Sequence, residues 1–218
     1  MVYTGSTVDV ASTEISLSPG WNWISYLPQN STDLMTALAN MNADDLTEFV
    51  DVISSQNDGF AIFYGAAYGW GGGLTHLNPG AGYAINVQNA TSFYYPEVSG
   101  SARIVSEKPA LILPETVSDW TVDAHAFEHV GYLTLAVESR EDAEGDLLAA
   151  FIDGECRGMT ERMYFPFDDR YIYMVQVYSN QSSGEEITFK YYNAENDEVI
   201  AYGETLFFTS NMVVGHGF

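Results

Sequence analysis

The chain has 218 residues, 14% aromatic and 17% charged, with 30 Asp and Glu against 7 Lys and Arg for a net charge of -23. That aromatic content excludes a disordered tail, and that charge disfavours nucleic-acid phosphates and anionic membranes as partners. No apolar run nears the roughly 20 residues a bilayer-spanning helix needs, and a single cysteine, Cys156, excludes an intrachain disulfide.

Residues 1–14 are rich in Thr, Ser and Val and partly alternate, which predicts an extended N-terminal segment able to serve as an assembly strand. A first module follows over residues 15–100. Ile15-Ser16-Leu17 reads as a strand, Pro19-Gly20 as a turn, and the Trp21/Trp23 stretch as a strand alternating aromatic with polar residues. Ser31-Thr32-Asp33 supplies an N-cap, and Leu34, Met35, Leu38 and Met41 then fall at helical spacing. Short strands are expected around Val50–Ile53, Phe60–Tyr64, Tyr83–Val87 and Ser92–Tyr95, separated by turns at Gly69–Gly73 and Asn78-Pro79-Gly80.

Residues 101–108 read as a linker, and no Lys or Arg precedes Arg103. Residues 109–218 are almost all candidate strand: Tyr132–Val137, Leu147–Ile152, Tyr171–Tyr178, Glu186–Tyr192, Val199–Tyr202 and Thr205–Thr209. Asp153-Gly154, Ser183-Gly184 and the Asn193–Asp197 run mark the turns. The expected fold is therefore mainly β: a small β module with one helix, followed by an antiparallel β-sandwich.

Two sets of motifs carry a resemblance. Gly20-Trp21-Asn22-Trp23-Ile24-Ser25, Asp51 to Gln56, and Leu77-Asn78-Pro79-Gly80-Ala81-Gly82-Tyr83 form an ordered series in the first half. Trp120, Asp146 to Phe151, Gly154-Glu155-Cys156-Arg157-Gly158, and Gly184 to Phe189 form another in the second. Together they resemble a tandem of modules found in large secreted surface proteins of Bacteroidetes- and Fibrobacter-type bacteria and some marine plankton. The resemblance implies an extracellular or cell-surface location and carries no settled biochemical activity. At one position a Lys usual in the first module is replaced by Ser54, which is expected to leave an acidic face unrelieved.

Catalytic vocabulary is sparse. There is no G-x-S-x-G elbow and no phosphate loop, and Gly71-Gly72-Gly73 lacks the Lys-Ser/Thr that such a loop needs. His125 and His129 have metal-ligand spacing only if helical, and their surroundings read as loop and strand. Cys156 sits in an apolar stretch and reads as a small core hydrophobe. The chain is therefore read as non-enzymatic.

Three sets of binding candidates remain. Tyr64, Tyr68 and Trp70 flank a Gly-rich loop and could stack on sugar rings, although the general burial of aromatics favours a core or lid role for the tryptophans. Asp142, Glu144 and Asp146 put alternate carboxylates in a tight acidic loop, a pattern that suits calcium or a solvated turn. Asn30, Asn89 and Asn180 begin sequons at expected loops or strand ends, where a glycan fits.

Two functions fit these observations. The first is a structural subunit or module of an extracellular fibre, sheath or adhesin, joined to neighbouring subunits by strand addition. The alternative is a carbohydrate-binding accessory module of a larger secreted protein. Nucleic acid and membrane insertion belong to neither.

Overall fold

The computed structural model describes residues 9–97, 111–138, 143–166 and 168–217. The expected linker at 101–108 and the first eight residues lie outside these. The chain divides into two compact units, Met1–Lys108 and Pro109–Phe218. Both are mainly β, with several antiparallel sheets.

Unit 1 runs β1 (Ile15–Leu17), β2 (Gly20–Ser25), β3 (Thr32–Asp33), α1 (Leu34–Ala37), β4 (Val52–Ser55), β5 (Gly59–Phe63), β6 (Trp70–Gly72), β7 (His76–Leu77), β8 (Gly82–Val87) and β9 (Thr91–Phe93). Its main sheet has the order β2-β8-β4-β5-β6, with β1–β9 and β3–β7 as separate antiparallel pairs. Side chains alternate across a strand, so Ile24, Ile53, Phe63, Tyr83 and Ile85 share one core with Leu34, Leu38 and Met41.

Two local expectations change here. Val10–Ser12 is a 3-10 turn rather than extended strand. The hydroxyls of Ser12 and Thr13 donate back to the Asp9 carbonyl at 3.4 and 2.7 Å, the local bonding by which Ser and Thr compete with strand pairing. The expected helix is a single α-turn. Asp33 caps it by accepting from the Thr36 amide at 2.9 Å, as a cap residue should. Beyond Leu38 the chain continues in three-residue turns, and the Asn40 carboxamide is drawn off to the Tyr94 carbonyl. Leu34, Leu38 and Met41 are all buried without a continuous helix.

Asn22 explains the polar residue between the two tryptophans of β2. Its Oδ1 accepts from the Ser18 amide at 2.9 Å, and its Nδ2 donates to the Ser18 and Gly20 carbonyls. One side chain thus closes the Ser18-Pro19-Gly20 turn, where Gly20 has φ +95°. Ser54 is buried in β4, inside the sheet.

Asp51, just before β4, is fully buried, and its oxygens accept from the Thr47 and Gln88 amides at 2.8 and 3.0 Å. Burial raises its carboxyl above the ordinary 3.8, against the lowering effect of those two amides. The folded chain then keeps a proton that the unfolded chain has released. Stability from this group is therefore greatest below 3.8 and falls as pH rises toward the native value. Asp51→Asn cannot titrate, so it should flatten that part of the stability–pH curve in urea unfolding across the acid range. A slope identical to wild type would contradict it.

Unit 2 contains β10 (His129–Leu135), β11 (Leu147–Ile152), β12 (Glu155–Glu161), β13 (Met163–Phe165), β14 (Arg170–Ser179), β15 (Ser183–Asn193), β16 (Glu198–Thr209) and β17 (Val213–Val214). They form two four-stranded sheets, β13-β14-β10-β17 and β12-β11-β15-β16, antiparallel except for the β10–β17 pair. One core cluster draws Leu133, Val175 and Val177 from the first sheet and Ala150, Ile152, Ile187, Phe189 and Phe208 from the second. The two strands expected over 199–209 are one strand, β16, with a break in register.

Candidate functional site

The three aromatic candidates do not form a platform. Tyr64 is 1% exposed and Trp70 8%, leaving only Tyr68, at 54%, in solvent. Trp70 packs on Phe63 with ring centroids 5.5 Å apart, and its amide donates to Met35 Sδ at 3.1 Å. Tyr64 lies edge-on to Phe49, and burial raises its hydroxyl well above the ordinary tyrosine value. The Gly65–Gly69 turn, closed by the Gly69 amide on the Gly65 carbonyl at 2.8 Å, sends Trp70 back into the core.

The acidic loop is likewise divided. Asp142 lies outside the described residues and Glu144 is exposed, but Asp146 is 0% exposed. Its Oδ2 accepts from the Ala143 amide at 2.7 Å and the Tyr191 hydroxyl, and its Oδ1 from the Ala194 amide at 2.8 Å. These donors tie the loop before β11 to the end of β15. Asp146 is thus turned inward as a structural acceptor instead of outward as an open ligand. No group of three or more His, Cys, Asp or Glu suited to a metal is present among the described residues.

The sequon asparagines differ in setting. Asn30 is half-buried in a bend, and its carbonyl accepts from the Tyr26 hydroxyl. Asn89 and Asn180 are exposed, and both amides already bond protein: Asn89 Nδ2 to the Asp45 carbonyl, Asn180 Nδ2 to the Ala126 carbonyl at 3.2 Å. A glycan on Nδ2 replaces one of two hydrogens, so each bond could survive modification. Asn180 Oδ1 also accepts from the Glu128 amide.

The Gly154–Gly158 motif is accounted for by packing. Asp153 and Gly154 both have positive φ, making the two-residue turn between β11 and β12. Cys156 is buried, with its thiol pushed up to about 11 by burial, which suppresses nucleophilicity. Arg157 pairs with Glu155 at 3.0 Å and stacks over the Phe127 ring at 4.7 Å. His125 lies in a 3-10 turn, while His129 opens β10 with its Nδ1 3.2 Å from Ser210 Oγ.

The feature that sequence reasoning missed is Trp23, 85% exposed in β2. Trp21, half-buried, lies on the same face by strand alternation. The interior strands β4 and β5 bury their residues on this face too, among them Val52 and Ile62. β2 is the last strand of its sheet, with β8 as its one sheet partner among the described residues. Alternation along Gly20–Ser25 puts Asn22 and Ile24 on one face and both tryptophans on the other, and residue types alone do not say which face is the core. No family model, curated protein or solved structure matches the chain.

Proposed function

We infer that the chain is a non-catalytic structural module of an extracellular surface assembly, joined to a neighbour at the β2 edge of unit 1. The observation that carries this reading is Trp23, 85% exposed on an edge strand. Exposed edges are templates for pairing, and natural proteins blunt them with Lys, Pro or bulges. β2 has no charged residue and pairs in unbroken register with β8. Covering Trp23 would bury about 200 Å² of apolar surface, worth about 4–5 kcal/mol before the cost of association. Unit 2 completes the module as an antiparallel β-sandwich, supported by the core cluster that both its sheets share. The resemblance of both halves to secreted surface modules supports the location.

Negative-stain microscopy and sedimentation velocity of wild type and Trp23→Lys test the reading. Wild type should form fibres or arrays, and the exposed substitution should weaken association at least about thirty-fold while leaving the fold intact. Wild type that stays monomeric at high concentration would overturn it. Trp21 and Trp23 on one face also favour the second reading, a glycan-binding module. Monomers whose glycan-array signal is lost in Trp23→Ala would establish that instead.

A further inference from the structure

Unit 2 contains a cavity of about 430 Å³ that none of the motifs explains. Its origin lies in β16. Pairing with β15 passes from Thr188↔Thr205 to Lys190↔Ala201, so Tyr202, Gly203 and Glu204 stand opposite Phe189 alone. A strand carrying extra residues bows away from its partner, and Tyr202, Glu204 and Leu206 become part of the cavity wall. Leu135, Val137, Leu148, Phe189 and Val214 complete an apolar lining. The cavity lies where two core clusters meet, since Leu135 and Tyr202 pack against both.

Among the described residues two charged side chains line the cavity, and both are acidic. Glu138 and Glu204 are exposed, and neither carboxylate is paired among the described residues. Among the described residues, no Lys, Arg or His lines the site. Volume and apolar walls fall within the range of small-molecule sites, which combine an apolar body with a few polar groups that set orientation.

We propose that this cavity binds a small apolar ammonium ion, its hydrocarbon body among the leucines and its charged head against Glu138 and Glu204. An apolar carboxylate of the same size meets two like charges and a chain of net charge -23, and is disfavoured. A neutral alcohol gains the apolar contacts but no charge pairing. Each exposed carboxylate contributes a few-fold at most, so the preference is graded.

Calorimetric titration of the whole chain with hexylammonium, hexanol and hexanoate at fixed physiological salt tests this, with methylammonium as control. Hexylammonium should bind saturably at one site, about five-fold tighter than hexanol, with hexanoate about five-fold weaker than hexanol and methylammonium not binding. The surface double variant Glu138→Gln/Glu204→Gln should bring hexylammonium to the affinity of hexanol and leave hexanol unchanged. Ala136→Trp, at an exposed position of the lining, should abolish binding of both. Hexanoate binding as tightly as hexylammonium would overturn the proposal. So would hexylammonium binding that survives Ala136→Trp, which would be attraction to the acidic surface at large, or no saturable binding at all.

Discussion

Replacing Asp146 by Ala should cost about 3–5 kcal/mol of stability, the largest effect expected of any single carboxylate described here. Three donors converge on this fully buried group: the Ala143 and Ala194 amides and the Tyr191 hydroxyl. Removing the acceptor takes one bond from each of three donors, the hydroxyl buried and the two amides partly buried; each lost partner costs about 1–3 kcal/mol, with some recovery where water reaches the amides. Asp146→Asn is nearly isosteric but turns one acceptor oxygen into a donor. It should cost about half as much. Guanidinium unfolding gives the totals, and hydrogen exchange locates the damage to the 143–146 loop and the Asn193–Asp197 turn. Wild-type stability in Asp146→Ala would show that the three donors find solvent or other acceptors. A calcium-ligand role for Asp146 makes a different prediction, namely a loss seen only with the metal present.

Gly158→Ala should destabilise by about 3 kcal/mol or more, at or above the upper end of the overpacking range. A Cβ at Gly158 would sit 2.1 Å from the Gln176 carbonyl oxygen, 3.0 Å from its carbon and 3.0 Å from Val175 Cγ2. Gly158 is in β12 and Gln176 in β14, strands of different sheets. Two of the three obstacles are backbone, so relief requires one strand to move off the other. The register shift between Ala150 and Phe151 places Arg157 as the extra residue of β12 just before this contact. Gly203→Ala is the control: a Cβ there meets nothing within 4 Å and φ is ordinary, so its effect should stay within about 0.5 kcal/mol. Thermal and chemical unfolding of both variants decides the matter. Equal stabilities would mean that the close approach of β12 and β14 is not required.

Strands were the most legible feature. Leu147–Ile152 has the bounds read from its apolar run, and Gly82–Val87 extends the expected stretch by one residue. An apolar run bounded by Asp-Gly or Pro-Gly turns leaves the chain little choice, because turn chemistry and side-chain alternation are local. Legibility failed where a local pattern admitted two outcomes. Leu34, Met35, Leu38 and Met41 have helical spacing, yet successive tight turns bury three of them equally well. Val199–Tyr202 and Thr205–Thr209 read as two strands because Gly203-Glu204 interrupts the pattern, whereas β15 carries both across the break.

The candidate site was the least legible part. Tyr64, Trp70 and Trp23 belong to the same vocabulary of aromatics beside glycines, and only their places in the sheet distinguish them. Asp146 and Glu144 are two residues apart in one acidic loop, but the Tyr191 hydroxyl and Ala194 amide, more than forty residues away in sequence, claim one of them and leave the other to solvent.

From the sequence alone came the β character of the chain, the places of its turns, the inert setting of Cys156 and the overwhelming negative charge. These follow from composition and from periods of two or three residues, which act within a few bonds. Tertiary structure decided which strand became an edge, which tryptophan stayed in water, which carboxylate turned inward, and where an overlong strand opened a cavity. Those outcomes depend on the partners that long-range strand pairing brings to each residue, and a strand's own residues do not encode its neighbour.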